Sequence, residues 1–88
     1  NANEQLRTIN TYPNPAYDNV TLNGTALNNG EYVIKVYNIA GIEIYSDSIH
    51  VTNGSMNRTI NTSTWINGAY MLHLITNGQQ RVVPIVKQ

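Results

Sequence analysis

The sequence has no cysteine and no phenylalanine, and only 11% of its 88 residues are charged. Without cysteine the chain has neither a disulfide framework nor a thiol nucleophile. Five basic residues balance five acidic ones, so no net charge attracts nucleic acid or an anionic membrane. The length corresponds to one domain near the lower limit for independent folding, and packing alone has to stabilise it.

Long apolar runs are absent as well. No stretch approaches the ~20 residues of a membrane span, and no signal peptide is present, so an exported parent protein is expected to carry one upstream. Convincing helical periodicity is also missing. Uncharged polar residues dominate instead, with fourteen asparagines and nine threonines. We expect Asn1–Gln5 to be a linker remnant and residues 6–88 to form a single domain.

Asparagine-glycine pairs divide the chain. Five of the six glycines follow an asparagine, and this pair favours turns because both residues tolerate positive φ. The segments between the turns are rich in Val, Ile, Thr and Tyr, with apolar and polar positions alternating. They predict strands at Leu6–Tyr12, Val20–Asn23, Tyr32–Asn38, Ile42–Ile49, Met56–Asn61, Ala69–Thr76 and Gln80–Lys87. The predicted fold is all-β, an immunoglobulin-like sandwich of about seven antiparallel strands in two sheets, with a partly open barrel as the alternative.

The alternation also assigns faces to two strands. It predicts that Tyr32, Ile34 and Val36 face the core in one strand, and Tyr70, Leu72 and Leu74 in another. Gly41 and Gly68 are expected to permit turns, and Tyr70 suits a tyrosine corner. Pro84 cannot donate to a ladder, so the last strand is predicted to be an edge strand or to be bulged there.

The sequence contains a few side chains of the types that occur in catalytic and metal sites. Asp47, Ser48 and His50 lie close in sequence, but on one strand Ser48 and His50 share a face and Asp47 points away, which argues against a triad. His73 adds an imidazole without a third convergent ligand, so a metal site is not supported. The sequence therefore predicts no catalytic residue, no metal and no cofactor, and a small hydrolase is set aside.

Four motifs occur in a fixed order. Tyr12-Pro13-Asn14-Pro15 fixes φ at two positions and predicts a rigid turn with Tyr12 packed on the core. A middle strand then leads into the hairpin at Gly41, a hydroxyl-rich turn precedes Gly68-Ala69-Tyr70, and a short run closes on Val83-Pro84-Ile85-Val86-Lys87. From roughly Thr11 to Gln88 this order resembles the C-terminal sorting domains of the type IX secretion system of Bacteroidota. The chain departs at Pro84 and at Trp65-Ile66, where Leu-Pro is common in that family.

The resemblance implies a non-catalytic secretion signal that directs a cargo protein across the outer membrane. Such a domain folds in the periplasm, is recognised by the outer-membrane translocon, and reaches the cell surface or the medium with its cargo. A surface sortase-like cysteine protease then typically removes it just upstream. The expected recognition residues are Ile85, Val86 and Lys87 of an edge strand open to strand addition, together with Tyr12, Pro13, Asn14 and Pro15.

A second class of protein stays open at this point. An immunoglobulin-like or fibronectin-like adhesion module could use exposed tyrosines and asparagine-rich loops to bind carbohydrate or protein. A sorting domain has to lie at the extreme C-terminus of its parent and be lost from the mature surface protein. An adhesion module can lie anywhere and stays attached.

Overall fold

The computed structural model describes residues 9–13, 15–25 and 27–88. Within them the chain forms seven strands: β1 (Asn10–Tyr12), β2 (Asn19–Gly24), β3 (Gly30–Asn38), β4 (Glu43–Val51), β5 (Met56–Asn61), β6 (Gly68–Thr76) and β7 (Gln79–Lys87). The predicted linker Asn1–Gln5 and the start of the first predicted strand, residues 6–8, lie outside the described residues. The ends of the other six predicted strands agree with β2–β7 to within two residues. No helix occurs in the described ranges, so none there could cross a membrane.

The strands form two separate antiparallel sheets. One has the order β1-β2-β5 and the other the order β4-β3-β6-β7. This all-β arrangement is consistent with the predicted immunoglobulin-like sandwich. β4 and β7 are the edges of the larger sheet, and the prediction of an edge position for the strand that carries Pro84 is confirmed.

The core lies between the sheets and follows the predicted alternation. Both predicted inward faces are confirmed, because all six side chains are buried while their sequence neighbours in β3 and β6 are half-buried or exposed. The other sheet contributes Val20, Leu22, Met56 and Ile60. Burial of these side chains is the main favourable term in folding, since it removes apolar surface from water.

The sandwich has two ends, called distal and proximal. The distal end carries the β1–β2 turn, the β3–β4 hairpin, the β5–β6 loop and the end of β7. The proximal end carries the β2–β3, β4–β5 and β6–β7 connections, and the described chain begins there at Ile9. The longest dimension of the molecule is 34 Å.

Two buried tyrosines close opposite ends of the core. The hydroxyl of Tyr70, near the start of β6, donates to the carbonyl of Ile66, which is the geometry of a tyrosine corner at the distal end. Tyr32, near the start of β3, makes the same type of bond at the proximal end, donating to the carbonyl of Asn28 over 2.7 Å. Burial raises the pKa of Tyr32, as desolvation disfavours the phenolate. The ring of Trp65 packs on Tyr70 with 4.9 Å between centroids.

An ion pair joins the two sheets at one open side. Arg58 of β5 and Asp47 of β4 both point inward from edge strands, and their side chains contact each other. Asp47 also accepts from the Tyr45 hydroxyl over 3.2 Å and from the Ser48 N–H over 2.8 Å. Inward-pointing charges on edge strands are a recognised way of preventing edge-to-edge association.

The position of Ser48 in the β3–β4 ladder explains why its N–H bonds to the Asp47 carboxylate. Ser48 lies opposite Val33, and Asn38, five residues further along β3, donates to Ile42 on the β4 side. Because backbone groups alternate in direction along a strand, Val33 bonds to β6 and the Ser48 N–H points to the outer edge of β4. The Asp47 carboxylate therefore occupies a donor that an added strand would otherwise use.

We expect Tyr70→Phe to lower the free energy of unfolding by about 1–2 kcal/mol, because the corner hydrogen bond is lost. Urea unfolding measures the change. Tyr37→Phe is the matched control, since Tyr37 lies on the outer face and its hydroxyl has no partner among the described residues. Equal stability of the Tyr70→Phe and Tyr37→Phe proteins would show that the corner hydrogen bond of Tyr70 does not stabilise the fold.

We expect Asp47→Val to associate more strongly with rising concentration than the unsubstituted domain, because the outer edge of β4 loses its inward charge and its occupied donor. Light scattering coupled to size exclusion measures the change. Ser46→Val adds the same side chain on the outer face of β4 and should associate no more than the unsubstituted domain. The double variant Asp47→Val, Arg58→Met replaces the pair with apolar groups and should associate while remaining folded. A double variant that associates no more than the unsubstituted domain would show that Asp47 does not protect this edge.

Candidate functional site

The predicted recognition residues of the terminal run divide between two faces of β7. Ile85 is only 1% exposed and belongs to the core, and Lys87 is 7% exposed. The Lys87 ammonium donates to the carbonyl of Gln88 over 3.0 Å, so its stem is covered while its head group reaches backbone. Of the three residues, only Val86 presents its side chain to solvent, with 41% exposed.

A segment after the Tyr-Pro-Asn-Pro turn bonds directly to the end of β7. The N–H of Ala16 donates to the Val86 carbonyl over 2.7 Å, and the Gln88 N–H donates to the Ala16 carbonyl over 2.8 Å. These two bonds make a parallel bridge between Ala16 and Lys87. Ala16 is fully buried. The expectation that the backbone of the terminal run is open to strand addition is therefore wrong at Val86 and Gln88.

The Ala16 bridge also requires the chain to change sheets. β1 pairs with β2 in the smaller sheet, whereas Ala16, four residues after Tyr12, bonds to β7 in the larger one. The turn between them contains Pro13, which follows a cis peptide bond, and Pro15, and both prolines are exposed. Asn14 lies outside the described residues. The structure thus brings the turn and the terminal run, 70 residues apart in sequence, to one place at the distal end.

The prediction that Tyr12 packs on the core is wrong. Tyr12 is 49% exposed, because the alternation in β1 directs Ile9 and Thr11 toward the core and Tyr12 outward. Nearby, Tyr17 is 54% exposed, and its hydroxyl donates to the side chain of Gln88 over 3.5 Å. Tyr17 thus lies beside the end of the terminal run, whereas Tyr12 points outward from the smaller sheet and Val86 from the larger one.

Pro84 faces the outer edge of β7. The Val86 carbonyl and the Gln88 N–H point away from β6 toward Ala16. Because the direction of the backbone groups alternates, Pro84, two residues before Val86, also has its nitrogen on the outer side. The register between β6 and β7 accordingly runs without a shift from Gln79 to Lys87. Pro84 removes a donor from the outer edge and leaves the β6–β7 ladder complete.

The two glycines and the tyrosine of the other motifs form the framework of this end. Gly41 lies in the β3–β4 hairpin with φ of 80°, a conformation that favours glycine. Gly68 opens β6 opposite Lys87, and Tyr70 pairs with Ile85. Tyr70 and Gly68 thus support the strand that carries the terminal run.

The side chains that the sequence offers for catalysis or metal binding do not come together in one site. Ser48 and His50 lie on the outer face of β4, and the His50 ring contacts Glu31 at 2.7 Å. The His73 ring packs edge-on against Tyr37 with 4.8 Å between centroids. The described residues contain no group of three His, Asp or Glu side chains placed to hold a metal ion.

Comparison with known proteins assigns the chain to one family. A family model described as "Secretion system C-terminal sorting domain" matches residues 10–88, from the first residue of β1 to Gln88. No curated protein matches the chain. The matched range contains the turn, the hairpin, the corner and the terminal run.

We expect Pro84→Val to change the free energy of unfolding by less than about 1 kcal/mol, since Pro84 does not bond to β6. The new amide should exchange with solvent as fast as an exposed group. Val83→Pro removes a donor to Leu72 and should cost about 2–3 kcal/mol. Urea unfolding and amide exchange by NMR measure both. A protected amide at position 84, or a stable Val83→Pro protein, would contradict the assignment of the residue 84 nitrogen to the outer edge and of the Val83 N–H to β6.

Proposed function

Because the chain belongs to the family of secretion system C-terminal sorting domains, it is a sorting signal for type IX secretion, and we propose that the machinery recognises it at one surface of the distal end. This composite surface consists of the terminal run Ile85, Val86 and Lys87 and the turn Tyr12-Pro13-Asn14-Pro15. A signal of this kind takes its protein out of the cell, to the surface or the extracellular space. The family match favours this function over an adhesion module.

One observation carries the proposal: the Ala16–Lys87 bridge joins the turn to the terminal run. Two motifs that a partner could otherwise contact only separately lie side by side. Exposed side chains next to the bridge belong to Pro13, Pro15 and Val86, and Tyr12 extends the turn onto the outer face of the smaller sheet. We assign the direct contacts to these side chains and a supporting role to Ile85 and Lys87, whose burial holds the strand in place.

The bridge also bears on how a partner binds. Backbone bonds at Val86 and Gln88 are already made with Ala16, so strand addition at this end would first have to displace Ala16. Pro84 removes the next donor along the same edge. The proposed contact is therefore made by side chains of the joined surface rather than by an added strand.

The proposed partners follow from the family to which the chain belongs. Since the family acts in type IX secretion, the domain interacts with that machinery. The proposed partners are the outer-membrane translocon, at the distal end, and a surface sortase-like protease that cuts upstream of the predicted boundary at residue 6. The described residues begin with Ile9 at the proximal end, and the proposed cut lies further upstream. We assign no catalysis to the domain itself, as Asp47 is engaged by Arg58 and points away from Ser48 and His50.

We expect Val86→Asp to reduce surface delivery of a reporter fused ahead of this domain by at least about tenfold. The substitution places a charge in an apolar contact, and tenfold corresponds to ~1.4 kcal/mol. Val82→Asp is the matched control, on the same face of β7 with 37% of the side chain exposed against 41% for Val86. Delivery is measured by labelling the reporter on intact cells.

Normal delivery of the Val86→Asp protein, or equal loss with Val82→Asp, would contradict the composite surface. Circular dichroism on both purified domains verifies that they are folded. Mass spectrometry of the delivered reporter then shows whether the domain is removed and at which bond. A reporter that still carries the domain would contradict the proposed protease step alone.

A further inference from the structure

Exposed apolar side chains are concentrated at the distal end. Of the nine large apolar side chains that are exposed among the described residues, seven lie there: Tyr12, Tyr17, Ile39, Ile42, Ile44, Ile66 and Val86. The other two, Met71 and Val82, lie on the outer face of the larger sheet. Single exposed apolar residues are ordinary, but a concentration of them marks an interaction site.

A groove lies within this apolar end, between the β3–β4 hairpin and the β5–β6 loop. Its volume is about 220 Å³, and it is lined by Asn38, Ile39, Ile66, Asn67, Gly68, Ala69 and Tyr70. Ile39 and Ile66 are 87% and 83% exposed. No atom lies within 4 Å of the place where a Cβ of Gly68 would be, so the space beside this glycine is open. Clefts for drug-sized ligands start at roughly 300 Å³, and this volume suits one side chain.

Hydrogen bonds hold both walls of the groove. The side-chain oxygen of Asn38 accepts from the N–H groups of Ala40 and Ile42 over 2.9 and 3.1 Å, which fixes the hairpin that carries Ile39. On the other wall, the Tyr70 hydroxyl bonds to the carbonyl of Ile66. The two exposed isoleucines therefore stand on ordered backbone, and a partner that fits between them meets a preformed site.

The charges of the domain lie elsewhere. Lys35 pairs with Glu43 at 3.3 Å, Arg58 contacts Asp47, and the ammonium of Lys87 bonds to backbone. Arg81, the remaining basic residue of the described chain, lies in the proximal half of β7. An anionic membrane surface attracts clusters of Lys and Arg, and the groove has none. Its polar lining includes Asn67 and Asn38, whose amide nitrogens can donate to a peptide carbonyl, while the Asn38 oxygen is engaged by the hairpin.

We propose that this groove accepts one branched or aromatic apolar side chain from an extended protein segment of the type IX machinery. The inference rests on the proposed function and adds a second contact to it. Val86 and Ala69 lie opposite each other in the β6–β7 ladder, so the groove borders the composite surface. A partner bound at Val86 can reach the groove with the next part of its chain.

The test replaces both walls in the reporter fusion, with Ile39→Asn and Ile66→Asn together. Both side chains are exposed, so the domain should keep its melting temperature and its amide spectrum. Surface delivery should fall by at least tenfold. Met71→Asn with Val82→Asn is the matched control, because it removes two exposed apolar side chains outside the groove and should leave delivery unchanged. Ile66→Leu keeps the wall apolar and should also be delivered normally.

Binding is measured separately on the purified domain. Titration with N-acetyl-leucinamide should shift the amide resonances of Gly68 and Ala69 and the side-chain amide of Asn67, and the double asparagine variant should abolish these shifts. Shifts at other residues only, or no shifts, would contradict the proposal that the groove binds an apolar side chain. Co-sedimentation with vesicles of phosphatidylethanolamine and phosphatidylglycerol should leave the domain in the supernatant. Loss of an observed co-sedimentation in the double variant would assign the surface to lipid and overturn the proposal.

The outcomes separate the two proposals. If Val86→Asp prevents delivery while the groove variant is delivered normally, the composite surface stands and the groove proposal fails. If the groove variant prevents delivery and Val86→Asp does not, the composite surface fails and the groove stands as a contact of its own. Normal delivery of both variants contradicts both proposals.

Discussion

The two hydrogen bonds between Ala16 and the end of β7 are the constraint on which the distal end depends. They draw the chain out of the smaller sheet after β1 and attach it to the larger one. The Tyr-Pro-Asn-Pro turn is consequently held against the last residues of the domain. These bonds also show that Val86 and Gln88 direct their backbone groups away from β6, as Pro84 does in the same alternation. Turn, terminal run and sheet edge are therefore one structural unit.

Both edges of the larger sheet are protected, by different means. On β7, Pro84 lacks a donor and Ala16 occupies the last positions. On β4, the inward carboxylate of Asp47 takes up the Ser48 N–H and binds Arg58 across the gap between the sheets. A small β-sandwich without disulfides is prone to pairing through such edges. At these positions the larger sheet has fewer free backbone donors for strand addition.

The strands, the inward faces of β3 and β6 and the edge position of Pro84 could be predicted from sequence, because each depends on local alternation or on the chemistry of one residue. Ala16 could not, since one small residue outside any strand pattern carries no periodicity. The pairing of Asp47 with Arg58 joins strands of different sheets, and alternation within a strand gives no information on that contact. The prediction of a rigid turn with Tyr12 packed on the core is wrong for Tyr12, because its position in β1 directs it outward.

The separation of the two ends of the sandwich has a consequence for the range of proteins that such a domain can serve. Ile9 lies at the proximal end, whereas most of the exposed large apolar side chains of the described residues lie at the distal end. Under the proposed function, a protein joined at the proximal end would leave most of the distal side chains accessible.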